Sequence, residues 1–81
     1  MTTAEQLETR ARELAEQSVD LGQGADELLA CCASKRVSVV LARRHFDEAV
    51  ERDPGDETAR RALELLDATL QRGDWTLEEA V

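Results

Sequence analysis

A cysteine thiolate beside an imidazole base is the smallest nucleophilic pair a chain can carry. This sequence holds two cysteines, Cys31 and Cys32, and one histidine, His45, thirteen or fourteen positions further on. A helical hairpin would close that separation, yet no glycine-rich loop and no third orienting group accompanies the pair. The residues therefore carry no catalytic assignment, and the chain is expected not to be an enzyme. Metal chemistry fares no better. Three ligands fall short of the four that a structural zinc site uses, and adjacent cysteines on a helix diverge by about 100°. Neighbouring cysteines also make a strained disulfide, so both read as small, reduced, partly buried side chains. The acids Asp53, Asp56 and Glu57 lack the twelve-residue loop with its fixed glycine that calcium requires. No metal and no cofactor is expected.

The remaining residues with chemical potential are the paired bases Lys35-Arg36, Arg43-Arg44 and Arg60-Arg61. Steps of seven and eight put Arg36, Arg43 and Arg44 on one side of a helix, and Arg60 joins them if a following helix folds back. Such a patch suits a carboxylate-rich peptide or an acidic C-terminus, since guanidinium groups pair carboxylates through two parallel hydrogen bonds. The competing reading is internal neutralisation at i, i+4, Arg43 by Asp47 and Arg44 by Glu48. The bases have no interleaved aromatic residues of the kind that stack on nucleic acid.

Overall charge narrows the partners further. Eighteen acids against ten bases give −8, a field that opposes binding to a phosphate backbone. The surplus is uneven: residues 1–30 carry 7 acids and 2 bases, residues 31–61 carry 6 and 7, and residues 62–81 carry 5 and 1. The 81 residues suffice for one small domain, and the interior must come from 11 Leu, 6 Val, 12 Ala, one Phe and one Trp. A core that thin yields roughly 3–5 kcal/mol, so a bound partner or a homodimer is the expected supplement. No stretch approaches the ~20 apolar residues of a membrane span. The opening MTTAEQLETR lacks the basic and apolar regions of an export signal, so a cytoplasmic location is expected.

Hydrophobic spacing supplies the elements. Leu7, Ala11, Leu14, Ser18 and Leu21 recur at steps of four and three, predicting a helix over about 4–21, with Thr3 and Gln6 as a capping box. Gly22 and Gly24 are expected to end it. The heptad spacing of Leu7, Leu14, Leu21 and Leu28 invites a zipper, but Ser18 and the glycines interrupt the seam. From Asp26 to Asp53 there is neither Gly nor Pro, and Leu28, Cys32, Lys35, Val39, Ala42, Phe46 and Ala49 continue the 4-3 steps. That stretch is either one helix over 26–52 or two, about 26–35 and 38–52, with a turn at Lys35–Ser38 and Ser38 as the cap. The β-branched Val37, Val39 and Val40 weaken helix there. Asp53-Pro54-Gly55-Asp56 is a turn. Asp56 then caps a helix over 57–72 with apolar face Ala59, Ala62, Leu63, Leu66 and Leu70. Thr76 and Glu79 suggest a closing turn over 76–81, with Trp75 packing back as an anchor. No segment alternates at period two.

Ala42, Phe46, Ala49 and Pro54, followed by Gly55-Asp56, resemble the second helix and following turn of a tetratricopeptide repeat. Leu29 and Ala30 match the leucine and small positions of that family's first helix, and Ala33 stands where the family has an aromatic residue. The resemblance covers about residues 23–81, without the glycine usual near residue 37 and with Arg60 where a bulky apolar residue is customary. It implies the split version of 26–52 and a protein-binding role.

The fold class expected is all-α: a single domain of four or five antiparallel helices, with 1–22 as an N-terminal capping helix and 23–81 repeat-like. The expected function is non-catalytic binding of a protein or peptide. Leu28, Leu29, Val39, Phe46, Leu63 and Leu66 would shape an apolar groove, and Arg36, Arg43, Arg44, Phe46, Arg60 and Trp75 would contact the ligand. Two alternatives stand beside it. One is a small acidic inhibitor, antitoxin-like, that neutralises a basic partner; the other is a helical oligomerisation subunit of a larger assembly.

Overall fold

The computed structural model describes residues 3–32 and 36–72. Four helices account for most of them: α1 (Thr3–Glu16), α2 (Leu21–Cys32), α3 (Arg36–Arg52) and α4 (Glu57–Arg72). Among the described residues no strand forms, and no helix is long and apolar enough to cross a membrane. The chain is an all-α helical bundle. α4 packs against each of the other three helices, most extensively against α3, while α2 and α3 touch least.

α1 buries Leu7, Ala11 and Leu14, as its spacing predicts, together with Ala15. It ends five residues earlier than expected, and not at a glycine. Ser18 takes a left-handed backbone with φ 57°. The Ser18 N–H donates to the Ala15 carbonyl at 3.1 Å and the Val19 N–H to the Leu14 carbonyl at 3.2 Å. This is a Schellman ending in which serine stands where glycine is usual, with Val19 packed against the core beside it. Asp20 then starts α2. Its carboxylate accepts the Gly22 N–H at 3.0 Å, and its carbonyl accepts the Gly24 N–H at 2.7 Å.

Gly22 and Gly24 therefore lie inside α2 rather than terminating α1, and α2 begins at Leu21 rather than 26. Tertiary packing explains the glycine at 24. A Cβ built there would stand 2.4 Å from Leu65 Cδ2, so only a residue without a side chain lets α2 and α4 come this close.

The single long helix over 26–52 does not form, since α2 stops at Cys32 and α3 starts at Arg36. Lys35 lies outside the described residues, and Ser38, expected to cap, is already within α3. The Asp53–Asp56 turn is as expected. The Gly55 N–H reaches the Asp53 carboxylate at 3.2 Å and the Asp56 N–H the Asp53 carbonyl at 3.0 Å. Asp56 caps α4, accepting the Ala59 N–H at 3.1 Å. The expected turn over 76–81, with Thr76 and Glu79, falls outside the described residues.

α4 buries Ala59, Ala62 and Leu66, with Leu63 and Leu70 half-buried, and also seals Leu65 and Thr69 completely. The buried arc is wider than a single stripe because α4 has three neighbours. Thr69 is tolerated there because its hydroxyl donates to the Leu65 carbonyl at 2.8 Å.

Two substitutions test this account. Ser18→Gly removes the left-handed penalty and is expected to stabilise the fold by about 0.5–1 kcal/mol, read as a higher urea midpoint at unchanged slope. Gly24→Ala gains helix propensity, up to about 1 kcal/mol, but drives a methyl into Leu65 at an overpacking cost of about 1–3 kcal/mol. The expected net result is a loss near 1 kcal/mol, less than additive with Leu65→Ala because that truncation vacates the contested space.

Candidate functional site

α3 is apolar on two sides. Val39, Ala42 and Phe46 point inward and are fully buried. On the opposite side, Val37, Val40 and Leu41 follow i, i+3, i+4 spacing and remain 72%, 37% and 47% exposed. Among the described residues these are the exposed large hydrophobics, and all three share one face of one helix. Scattered exposed aliphatics need no explanation, whereas a contiguous strip marks a surface with a use. Arg44 extends this face by one turn. It is exposed and has no hydrogen bond or ion pair among the described residues, Glu48 included. Arg36, also exposed, lies at the other end of the strip.

The other arginines of the expected patch have different positions. Arg43 turns toward α4, where its Nε donates to the Asp67 carboxylate, rather than toward Asp47. The hydrogen bond from Asp67 raises the Arg43 pKa further above its ordinary value, partial burial opposes this, and the Asp67 and Asp47 charges add to the rise. Arg60 is exposed on α4 and lines an open polar depression with Glu57, Arg61 and Glu64, which include no α3 residue. Its neighbour Arg61 donates to the Val19 carbonyl at 3.0 Å and pairs with Glu64 at 3.1 Å. Arg72 donates to the Gly22 carbonyl at 2.9 Å and meets Asp26 at 2.8 Å. Arg61 and Arg72 thus fasten the α1–α2 connection to α4.

Phe46 was expected to contact a ligand, but it has no exposed surface. Among the described residues it is the largest fully buried side chain, and the Arg12 guanidinium of α1 lies 5.4 Å from its ring centroid. Leu28, Val39 and Leu66 are likewise sealed, and Leu29 and Leu63 pack against them, so these residues form the interior and not an open groove. Trp75 lies outside the described residues.

Of the cysteine–histidine set, Cys31 and His45 are described, with no contact recorded between them, and the side chain of Cys32 lies outside the described residues. Cys31 is exposed rather than partly buried, and it is free. His45 packs edge-on against Phe46 at 5.2 Å and faces Glu8 of α1 at 3.9 Å. Among the described residues no group of three or more His, Cys, Asp or Glu side chains is placed to hold a metal ion. An open depression of about 460 Å³ lies between Ala15, Glu16 and Ser18 on one side and Glu57, Thr58 and Arg61 on the other.

No protein-family model matches the chain, and no curated protein and no solved structure is significantly similar to it.

The exposed strip escaped the sequence reading because Val37, Val39 and Val40 were treated together as weak helix formers. The available signal was that Val37, Val40, Leu41 and Arg44 make a second i, i+3, i+4, i+7 series, offset from the inward one.

Arg43→Glu would set a third carboxylate beside Asp67 and Asp47. The expected loss is about 0.5–1 kcal/mol of stability, modest because the pair is half-exposed. Asp67→Arg in the same chain should recover it, as followed by urea denaturation of both single variants and the double.

Proposed function

We propose that this chain is a non-catalytic protein-binding module, and that the outer face of α3 is what it presents. The observation that carries the reading is the strip of Val37, Val40 and Leu41 with unpaired Arg44 at its end. A bundle with so few large aliphatics leaves three of them in water on one helix. The strip fits a partner segment with two or three apolar side chains and a carboxylate for the Arg44 guanidinium. Water expelled from the aliphatic groups supplies the affinity, and the arginine sets register and orientation.

The tetratricopeptide resemblance supports a protein-binding role through Ala42, Phe46, Ala49 and Pro54. The slight contact between α2 and α3 weighs against a repeat hairpin built from those two helices. The net charge of −8 supports a second reading, an acidic neutraliser of a basic partner, which would engage other surfaces.

A photo-crosslinking side chain at position 41, compared with one at exposed Glu51, identifies the partner in the source cell. With that partner purified, Leu41→Asp and Arg44→Glu should each weaken binding about tenfold or more while leaving helicity unchanged. Binding indifferent to both substitutions would reject the α3 face. Affinity that collapses between low and physiological salt would favour the charge-neutralising alternative.

A further inference from the structure

Along the outer side of α3, Val37, Val40, Leu41 and Arg44 follow one another at steps of three, one and three, a spacing that is the same from either end. An antiparallel copy of α3, turned about an axis between Val40 and Leu41, therefore sets Val40 against Leu41 of that copy and Val37 against its Arg44. Each contact is then made twice, as a two-fold interface requires. The strip lies opposite the buried side, on the back of the helix. Such a convex surface is met by a second helix, ridge into groove, rather than by an extended segment that needs walls. Charge selects the same face. A second copy brings the same net charge of −8, so it approaches most easily where that charge is locally cancelled. α1 holds four Glu and two Arg, and α2 holds two acids and no base. α3 holds four Arg and three acids. α4 is balanced, but the exposed large hydrophobics among the described residues are all on α3.

We propose that the chain forms a two-fold homodimer by antiparallel pairing of α3 with α3 of a second copy. Val40 and Leu41 lie at its centre, and Val37 lies under the aliphatic stem of the second copy's Arg44. The arginine keeps its guanidinium in water at the margin while its methylenes cover an apolar side chain. The contact is small. Four side chains from each copy fall short of the roughly 800 Å² per partner that a standard interface buries, so the pair belongs to the weak, reversible class. Association is expected at roughly 10 µM to 1 mM of chain. Pairing also supplements a thin core, since whatever binds only the folded chain stabilises it by mass action. The inference rests on the reading of this face as a docking surface and names its occupant, the chain itself.

Sedimentation equilibrium from about 10 µM to about 1 mM reads the association, with a thiol reductant so that exposed Cys31 forms no bridge between chains. Position 37 tests the register by sign. Val37 is 72% exposed, so a charged side chain there stays in water. In the proposed pair, Val37→Glu sets a carboxylate against the second copy's Arg44, whereas Val37→Lys sets a like charge there. Overall charge works the other way, because Val37→Glu makes each chain more acidic and Val37→Lys less so. The expected parent shifts toward the dimer mass as concentration rises. Leu41→Asp should associate at least about tenfold more weakly than the parent, and Val37→Lys about tenfold more weakly than Val37→Glu, at unchanged helicity by circular dichroism. A parent that stays monomeric to about 1 mM overturns the proposal. So does association untouched by Leu41→Asp, which places the contact on another face, and so does Val37→Lys associating as tightly as Val37→Glu. Should Leu41→Asp lose helicity, the two position-37 variants decide alone. A monomeric chain whose position 41 crosslinks to a different protein removes the dimer and keeps the docking face. Leu41→Asp and Arg44→Glu without effect on that protein or on association remove the face itself.

Discussion

Close approach of helices around Phe46 is the constraint on which the bundle depends. Among the described residues the interior contains one aromatic ring, five fully enclosed leucines and one valine, and the remaining buried apolar positions are alanines: Ala11, Ala15, Ala25, Ala42, Ala59 and Ala62. Small residues contribute little buried area each, so the large ones count only if the helix axes come near enough for every methyl to be touched. Gly24 against Leu65 is the extreme case, a position at which even alanine would force the Leu65 side chain to shift. Arg12 lies over the Phe46 ring, and His45 packs against its edge.

That constraint decides how arginine is used. With few apolar groups to fix the connections, three arginines of α3 and α4 do so by hydrogen bonding. Arg61 and Arg72 reach the carbonyls of Val19 and Gly22, and Arg43 joins α3 to α4 through Asp67. Arg10 ties α1 to α2 through Glu27 at 3.4 Å. Each pair is solvent-accessible and individually weak, yet they select one relative placement of the helices where alanine seams alone would permit sliding.

How far the sequence could be read follows from which of these effects are local. The start of α4 was legible, because Asp53, Pro54, Gly55 and Asp56 define it through bonds within the turn itself, whereas the burial of Leu65 and Thr69 was not, because it comes from packing against three neighbouring helices. The inward face of α3 was legible from the 4-3 spacing of Val39, Ala42 and Phe46. The end of α1 was not, because Ser18 adopts a backbone that glycine normally takes while two glycines nearby sit in helix for the sake of Leu65. Of the candidate site, Arg36 and Arg44 lie where spacing put them. Arg43 and Phe46 were drawn inward by neighbours on α4 and α1 that no local pattern identifies. Burial of Phe46 also follows from scarcity: a chain with one phenylalanine and one tryptophan can rarely leave such a ring at the surface.

Scarcity also gives the outer strip of α3 its weight. Val37 and Leu41 could have been polar with little loss to the interior, since the core uses the opposite side of the helix, and Val40, 37% exposed, packs more of its surface than they do. Their position in a local region of balanced charge, residues 31–61 with 6 acids and 7 bases, matters as much as their apolarity. Away from that region the chain is strongly acidic, so its long-range field repels an acidic ligand. Within about a Debye length of the strip, roughly 8–10 Å at ordinary ionic strength, the nearest guanidinium groups dominate.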